Sequence, residues 1–130
     1  MADYFRTTWS KLYFPKDMQG KTMQDRALAI AERKTNELEG RDEEYCGVNV
    51  TVEEDGVEFY SNELDIDHMI EIALALLDEL KLDEAFFFSW ADTCSRDRLN
   101  SFGGGACALK RGELPFWVDA MDLAREHFKR

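Results

Sequence analysis

Val48, Val50 and Val52 alternate with Asn49 and Thr51, and Val57 and Phe59 then alternate with Glu58 and Tyr60. A period of two sends successive side chains to opposite faces, so Tyr45–Tyr60 is predicted as a β-hairpin. Glu53-Glu54-Asp55-Gly56 lies between the two arms, and Asp-Gly supplies the positive φ angles of a tight turn. Helical spacing appears on both sides of this hairpin. Met23, Ala27, Ile30, Ala31 and Leu38 predict a surface helix from Thr22 to Leu38, interrupted on its apolar stripe by Lys34 and stopped by Gly40. Ile66, Met69, Ile70, Ala73, Leu74, Leu77 and Leu80 predict the most buried helix, capped by Asp65 or Asp67.

The remaining segments read more coarsely. Tyr4–Phe14 is ambiguous: Phe5, Trp9, Leu12 and Tyr13 fit a helical face, and Trp9–Phe14 fits a strand ended by Pro15, which is the preferred reading. Ala85–Trp90 is an apolar run, and Phe86-Phe87-Phe88 predicts a strand covered on both faces. A loop from Asp92 to Gly104, a short strand at about Gly105–Leu109 and a turn at Lys110-Arg111-Gly112 follow. Pro115 then opens a last helix whose packed side is Phe116, Trp117, Ala120, Met121, Ala124 and Phe128. The expectation is a single acidic α+β domain over residues 1–130, two-layered, with an antiparallel sheet of about four or five strands against about three helices.

The composition supplies a core: 45% of residues are hydrophobic and 12% aromatic. No apolar run approaches the ~20 residues of a membrane span, and MADYFRTTWSK has no signal-peptide h-region, so a cytoplasmic protein is expected. Cys46, Cys94 and Cys107 show neither C-x-x-C nor a disulfide framework, which suits a reducing compartment.

Charge changes the picture more than composition does. The net charge is −11, and from Glu37 to Glu84 there are seventeen acids against two bases, Arg41 and Lys81. Nucleic acid would be repelled by such a block, and a membrane offers it nothing, whereas a basic protein would be attracted. A run of carboxylates is usually a solubilising face. Its sharper reading is mimicry of nucleic acid, with Glu43, Glu44, Glu53, Glu54, Asp55, Glu58, Glu63, Asp65 and Asp67 standing in for phosphates in the basic groove of a partner protein. Such a protein needs no catalytic residue, cofactor or metal. It would act as a monomer or homodimer.

A second reading falls on Trp90–Gly105. Gly103, Gly104 and Gly105 permit close backbone approach, and Arg96 and Arg98 could add charge to an anion nest near Trp90 and Cys94. The plainer account is a glycine bulge, or glycines that make room for Trp90 or Phe102. No lysine-serine pair follows the glycines, so the phosphate-loop pattern is absent. Cys94 could be a nucleophile with Asp92 or His68 as partner, but the phosphatase spacing would require arginine where Asn100 stands. Asp65, Asp67, His68 and Glu71 resemble a hard-metal set at helical spacing, yet carboxylates gather at helix N-termini for dipole reasons alone. A third reading makes Trp117, Met121 and Phe128 an exposed docking stripe.

The pairing of Trp90-Ala91-Asp92-Thr93-Cys94, W-A-x-T-C, with Phe102-Gly103-Gly104-Gly105-Ala106, F-G-G-G-A, resembles small uncharacterised acidic proteins of phages and plasmids. The resemblance extends from Trp90 to Ala106 and carries over no functional residue. It implies an anti-defence role of the anti-CRISPR or anti-restriction type.

Overall fold

Pro15 ends the first strand, because it lacks an N–H and biases Phe14 away from the helical region. The computed structural model describes residues 4–42, 47–94 and 103–128. Along these run β1 (Tyr4–Tyr13), α1 (Lys21–Asp42), β2 (Asn49–Val52), β3 (Gly56–Ser61), α2 (Ile66–Glu79), β4 (Phe86–Cys94), β5 (Gly103–Leu109), β6 (Phe116–Asp119) and α3 (Ala120–His127). The α+β class expected from the sequence holds, with six strands rather than four or five. They form one antiparallel sheet in the order β2-β3-β1-β4-β5-β6. β3 and β4 both run antiparallel to β1 and flank it, so α2 crosses over β1 between them. The first six elements thereby take the split β-α-β arrangement of ferredoxin-like domains, and β5, β6 and α3 extend it past β4.

One face of the sheet is covered. Leu12 of β1, Val57 and Phe59 of β3, Phe86, Phe88 and Trp90 of β4, and Cys107 and Leu109 of β5 all point into the core. Met69, Ile72, Ala73, Leu76 and Leu77 of α2 are fully buried against them, and Met23, Ala27, Ile30 and Leu38 of α1 complete the layer. Both ends of α2 are secured locally. The Asp65 carboxylate accepts the His68 backbone N–H at 3.1 Å, which settles the cap on Asp65. At the other end Leu82 N–H reaches Leu77 O at 2.9 Å and Lys81 N–H reaches Asp78 O at 3.3 Å. This is a Schellman closure, with Lys81 rather than glycine at a positive φ of 54°.

Several expectations are corrected. Gly40 does not stop α1, which continues to Asp42, because an exposed glycine weakens a helix without breaking it. The hairpin turn has no positive φ at Asp55 or Gly56; it spans Glu53–Gly56, closed by Glu53 N–H to Gly56 O at 2.8 Å. Glycine is required there because a Cβ would strike the Leu12 carbonyl oxygen of the neighbouring strand. Phe86-Phe87-Phe88 is not covered on both faces: Phe87 is 69% exposed. The predicted loop from Asp92 to Gly104 is shortened, since β4 and β5 pair as far as Asp92↔Gly103. Pro115 opens a strand, not a helix, and α3 starts at Ala120 behind Asp119, whose side chain accepts from Met121 and Asp122. β5 offers a free edge that captures Phe116–Asp119 before helix can begin. None of the residues of α3 is buried, so its expected packed side faces outward.

Leu76→Ala should cost about 2–5 kcal/mol in urea unfolding, as expected for a fully enclosed leucine. Phe87→Ser should change stability by less than about 0.5 kcal/mol. A large loss at Phe87 would place that ring in the core.

Candidate functional site

The acidic residues are held in two rigid corners and one stripe. Glu53, Glu54 and Asp55 form the β2–β3 turn. Its backbone is clamped from outside: Phe14 N–H donates to Asp55 O at 2.9 Å, Gly20 N–H to Glu54 O at 3.0 Å, and the Gln24 side chain to Val52 O at 3.1 Å. Lys11 sits behind the turn, with Nζ 2.9 Å from Asp55 and 3.1 Å from Glu53. Those two carboxylates, Asp55 first, hold the Lys11 ammonium well above the ordinary lysine range. Glu58 lies on the uncovered sheet face, where it accepts from the Trp9 indole N–H.

The second corner is Glu63, Asp65 and Asp67, at the opposite end of β3. Leu64 N–H donates to Arg6 O at 2.9 Å and Asp65 N–H to Gly47 O at 3.1 Å, which fix its backbone. Six residues of β3 at ~3.3 Å each separate the two corners by about 20 Å. Along α2, Asp67, Glu71 and Asp78 fall within about 40° of one another at 100° per residue and span about 16 Å. Among the described residues, Glu54, Glu63, Asp67, Asp78 and Glu84 have no ion-pair partner. Glu43 and Glu44 lie outside the described residues.

The acids at the start of α2 do not make a metal centre. Asp65 is committed to the helix cap, and His68 is nine-tenths buried with Nε2 3.6 Å from Asp65. Among the described residues no group of three or more His, Cys, Asp or Glu side chains could hold a metal ion.

Of the second candidate region, Trp90, Cys94, Gly103, Gly104 and Gly105 are described, while Arg96, Arg98 and Phe102 lie outside the described residues. A Cβ on Gly105 would collide with the Trp90 ring and the Val118 carbonyl oxygen, and one on Gly104 with the Trp90 carbonyl oxygen. Both glycines therefore have a packing reason. Gly103 has no such neighbour closer than Asp92 Oδ2 at 3.8 Å. Among the described residues the cation at this end of the sheet is Arg6, which no sequence motif singled out. Its Nε lies 2.7 Å from Asp92 Oδ1 and its guanidinium 5.9 Å from the centre of the Trp90 ring. The hydrogen bond to Asp92 holds the Arg6 pKa above the usual value, against the opposing effect of burial. Arg6, Glu63, Asp65, Asp67 and Trp117 line a cleft whose charge balance is acidic.

A second cleft opens where the β1–β4 ladder ends at Thr7↔Ala91. Just beyond that rung the Thr8 hydroxyl donates to Ser89 O at 2.6 Å. Further on, Lys11, Tyr13, Ala85 and Phe87 border a cleft floored by Leu77 and Leu82 and rimmed by Asp83 and Glu84. The outer sheet face beside it is aromatic. Trp9 and Tyr60 meet edge-on at 5.8 Å between centroids, and Tyr13 and Phe87 are exposed nearby. The parity of Trp9, Lys11 and Tyr13 within one strand was the available signal for this face; it required a commitment to strand over helix.

Cys107 is buried in β5, and Cys94 is half-buried at the end of β4. Burial pushes the Cys107 thiol up to about 11. The folded protein thus favours the neutral thiol. This contribution to stability is complete below the unfolded value of about 8.5 and fades as pH rises from there towards 11. In a thiol titration at pH 8, native wild type and native Cys107→Ala should label to the same extent. Denatured wild type should take up one label more than the denatured variant. A native-state deficit in Cys107→Ala would show that this thiol is accessible.

No helix among the described residues is long and apolar enough to cross a membrane. Neither a family model, nor a curated protein, nor a solved structure matches this chain.

Proposed function

We propose that this protein is a non-catalytic binding domain whose acidic surface occupies the basic, nucleic-acid-binding site of a partner protein. The observation that carries this reading is the rigid display of exposed carboxylates at both ends of β3 and along α2. Backbone hydrogen bonds fix the Glu53–Asp55 turn and the Glu63–Asp67 corner before any partner arrives. Preorganised carboxylates lose little conformational freedom on binding, which is how a small domain competes with a polyanion. Resemblance of the Trp90–Ala106 segment to phage and plasmid proteins points the same way, towards an anti-defence inhibitor.

Magnitudes set the binding mode. Duplex DNA presents about one charge per 1.7 Å, whereas the α2 stripe offers three carboxylates over about 16 Å. One cluster therefore cannot match the polyanion, so the two corners at the ends of β3 must bind together. Glu58, on the bare sheet face, points away from the α2 stripe and does not share one groove with it. The groove that accepts them is lined with Lys or Arg over at least about 20 Å.

Glu54, Glu63 and Asp67 are the informative positions, because reversing them breaks no ion pair among the described residues. E54K/E63K/D67K should remain folded, with a modest fall in melting temperature because Asp67 complements the dipole in the first turn of α2. It should lose more than about tenfold in affinity, equivalent to about 1.4 kcal/mol. The assay is capture from bacterial lysate by tagged protein, with the recovered partner then titrated by calorimetry. Wild-type binding should weaken as salt rises, because such contacts are screened over about 8–10 Å. Full affinity in the folded triple variant would sink the electrostatic reading.

A further inference from the structure

The sheet ends very differently on its two sides. Edge strand β2 turns Asn49 and Thr51 outward and keeps Val50 and Val52 half-buried. Edge strand β6 pairs only with β5 among the described strands, and its residues Phe116 and Trp117 are 68% and 54% exposed. An unguarded apolar edge is a template for another strand. α3 follows directly, and its eight residues include none that is buried. Helices shorter than ~12–15 residues are marginal in isolation, and although α3 lies beside β5 and β6, none of its residues is buried there, so it retains surface for further packing.

We infer that the β6 edge and α3 form a two-fold interface between two copies of this chain, with β6 pairing antiparallel to its symmetry mate. Three features select a second copy. Antiparallel pairing of one edge with itself is isologous, so it closes as a dimer and leaves neither edge open. The exposed area fits as well. Leu114, Phe116, Trp117, Met121 and Phe128 are 91%, 68%, 54%, 45% and 88% exposed. At roughly 200 Å² per large apolar side chain they amount to on the order of 700 Å², close to the ~800 Å² that each partner contributes to a standard interface. On α3, Met121 and Ala124 lie on one side at helical spacing, with Phe128 just past the helix end, so that side faces the mate.

Charge completes the case. From Lys110 to Arg130 the chain holds five bases and four acids, while the rest carries all of its net negative charge. Two copies can therefore meet here without the repulsion their acidic regions would impose. A strongly basic partner gains nothing at this nearly neutral patch. The interface borders the second acidic corner, because Trp117 lines one cleft with Glu63, Asp65 and Asp67, whereas the Glu53–Asp55 turn lies at the far end of β3 and would be presented twice by the dimer.

Sedimentation equilibrium and concentration-dependent hydrogen exchange test this together. Wild type should sediment at twice the 15.1 kDa chain mass at micromolar concentration, with amides of β6 gaining protection as concentration rises. Phe116→Asp/Phe128→Asp alters two side chains that are exposed in the single chain, so its circular dichroism should be unchanged while its mass halves. E54K/E63K/D67K should remain dimeric. A monomeric wild type, a mass above two chains, or a folded Phe116→Asp/Phe128→Asp variant that stays dimeric would each overturn the proposal.

Discussion

The seating of α2 across β1 is the contact on which the remaining architecture depends. β1 is flanked by β3 and β4, which run parallel to each other and can be joined only by a crossover. α2 is that crossover. Its stripe of Met69, Ile72, Leu76 and Leu77 is fully buried over Phe59, Phe86 and Phe88. At about 1.5–3 kcal/mol per buried apolar side chain, this surface is a large favourable contribution to the fold. The Asp65 cap and the Schellman closure at Lys81 set where the stripe begins and ends.

That seating also decides where the charge goes. With one face of α2 committed to the core, Asp67, Glu71 and Asp78 are left on the outside. The crossover also puts the two ends of α2 at opposite ends of the sheet. The turn acids Glu53–Asp55 and the corner acids Glu63–Asp67 thus stand apart rather than merging. Lys11 offsets part of the first corner, and Arg6 is engaged by Asp92 near the second. Exposed ion pairs of this kind add about 0–1 kcal/mol each, so they orient carboxylates more than they stabilise the fold.

Beyond β4 the structure follows a different logic. An aromatic series runs along the inner face from Phe59 through Phe86, Phe88 and Trp90 to Trp117, with successive centroids 5.6, 5.9, 6.1 and 6.3 Å apart. It starts in a closed core and finishes on a half-exposed tryptophan. Gly105 leaves room for the edge of the Trp90 ring beside β5, where a Cβ would collide with it. The helical layer does not extend over this end. The apolar surface of β6 and α3 is what an incomplete second layer leaves uncovered.

The α1 stripe, the β2–β3 hairpin, the α2 stripe with its Asp cap, and the acidic block were legible in the sequence, because each rests on local periodicity or on counting charges. β1 was legible only as the better of two choices, since Trp9, Leu12 and Tyr13 satisfy both periods. Phe87 could not be assigned outward from an all-phenylalanine run, because the run has no internal contrast and its parity is set by the β5 register. Pro115-Phe116-Trp117 reads as a helix start by local rules, and only the free edge of β5 turns it into a strand. The turn glycine Gly56 and the sheet glycine Gly105 are required by neighbours 44 and 15 residues away, Leu12 and Trp90. Periodicity and capping act over a few neighbouring residues and charge needs only counting, so the sequence by itself determined α1, the β2–β3 hairpin, α2 and the acidic character. Register, edge identity and the placement of charge depend on which distant strands meet, and only the tertiary structure decided those.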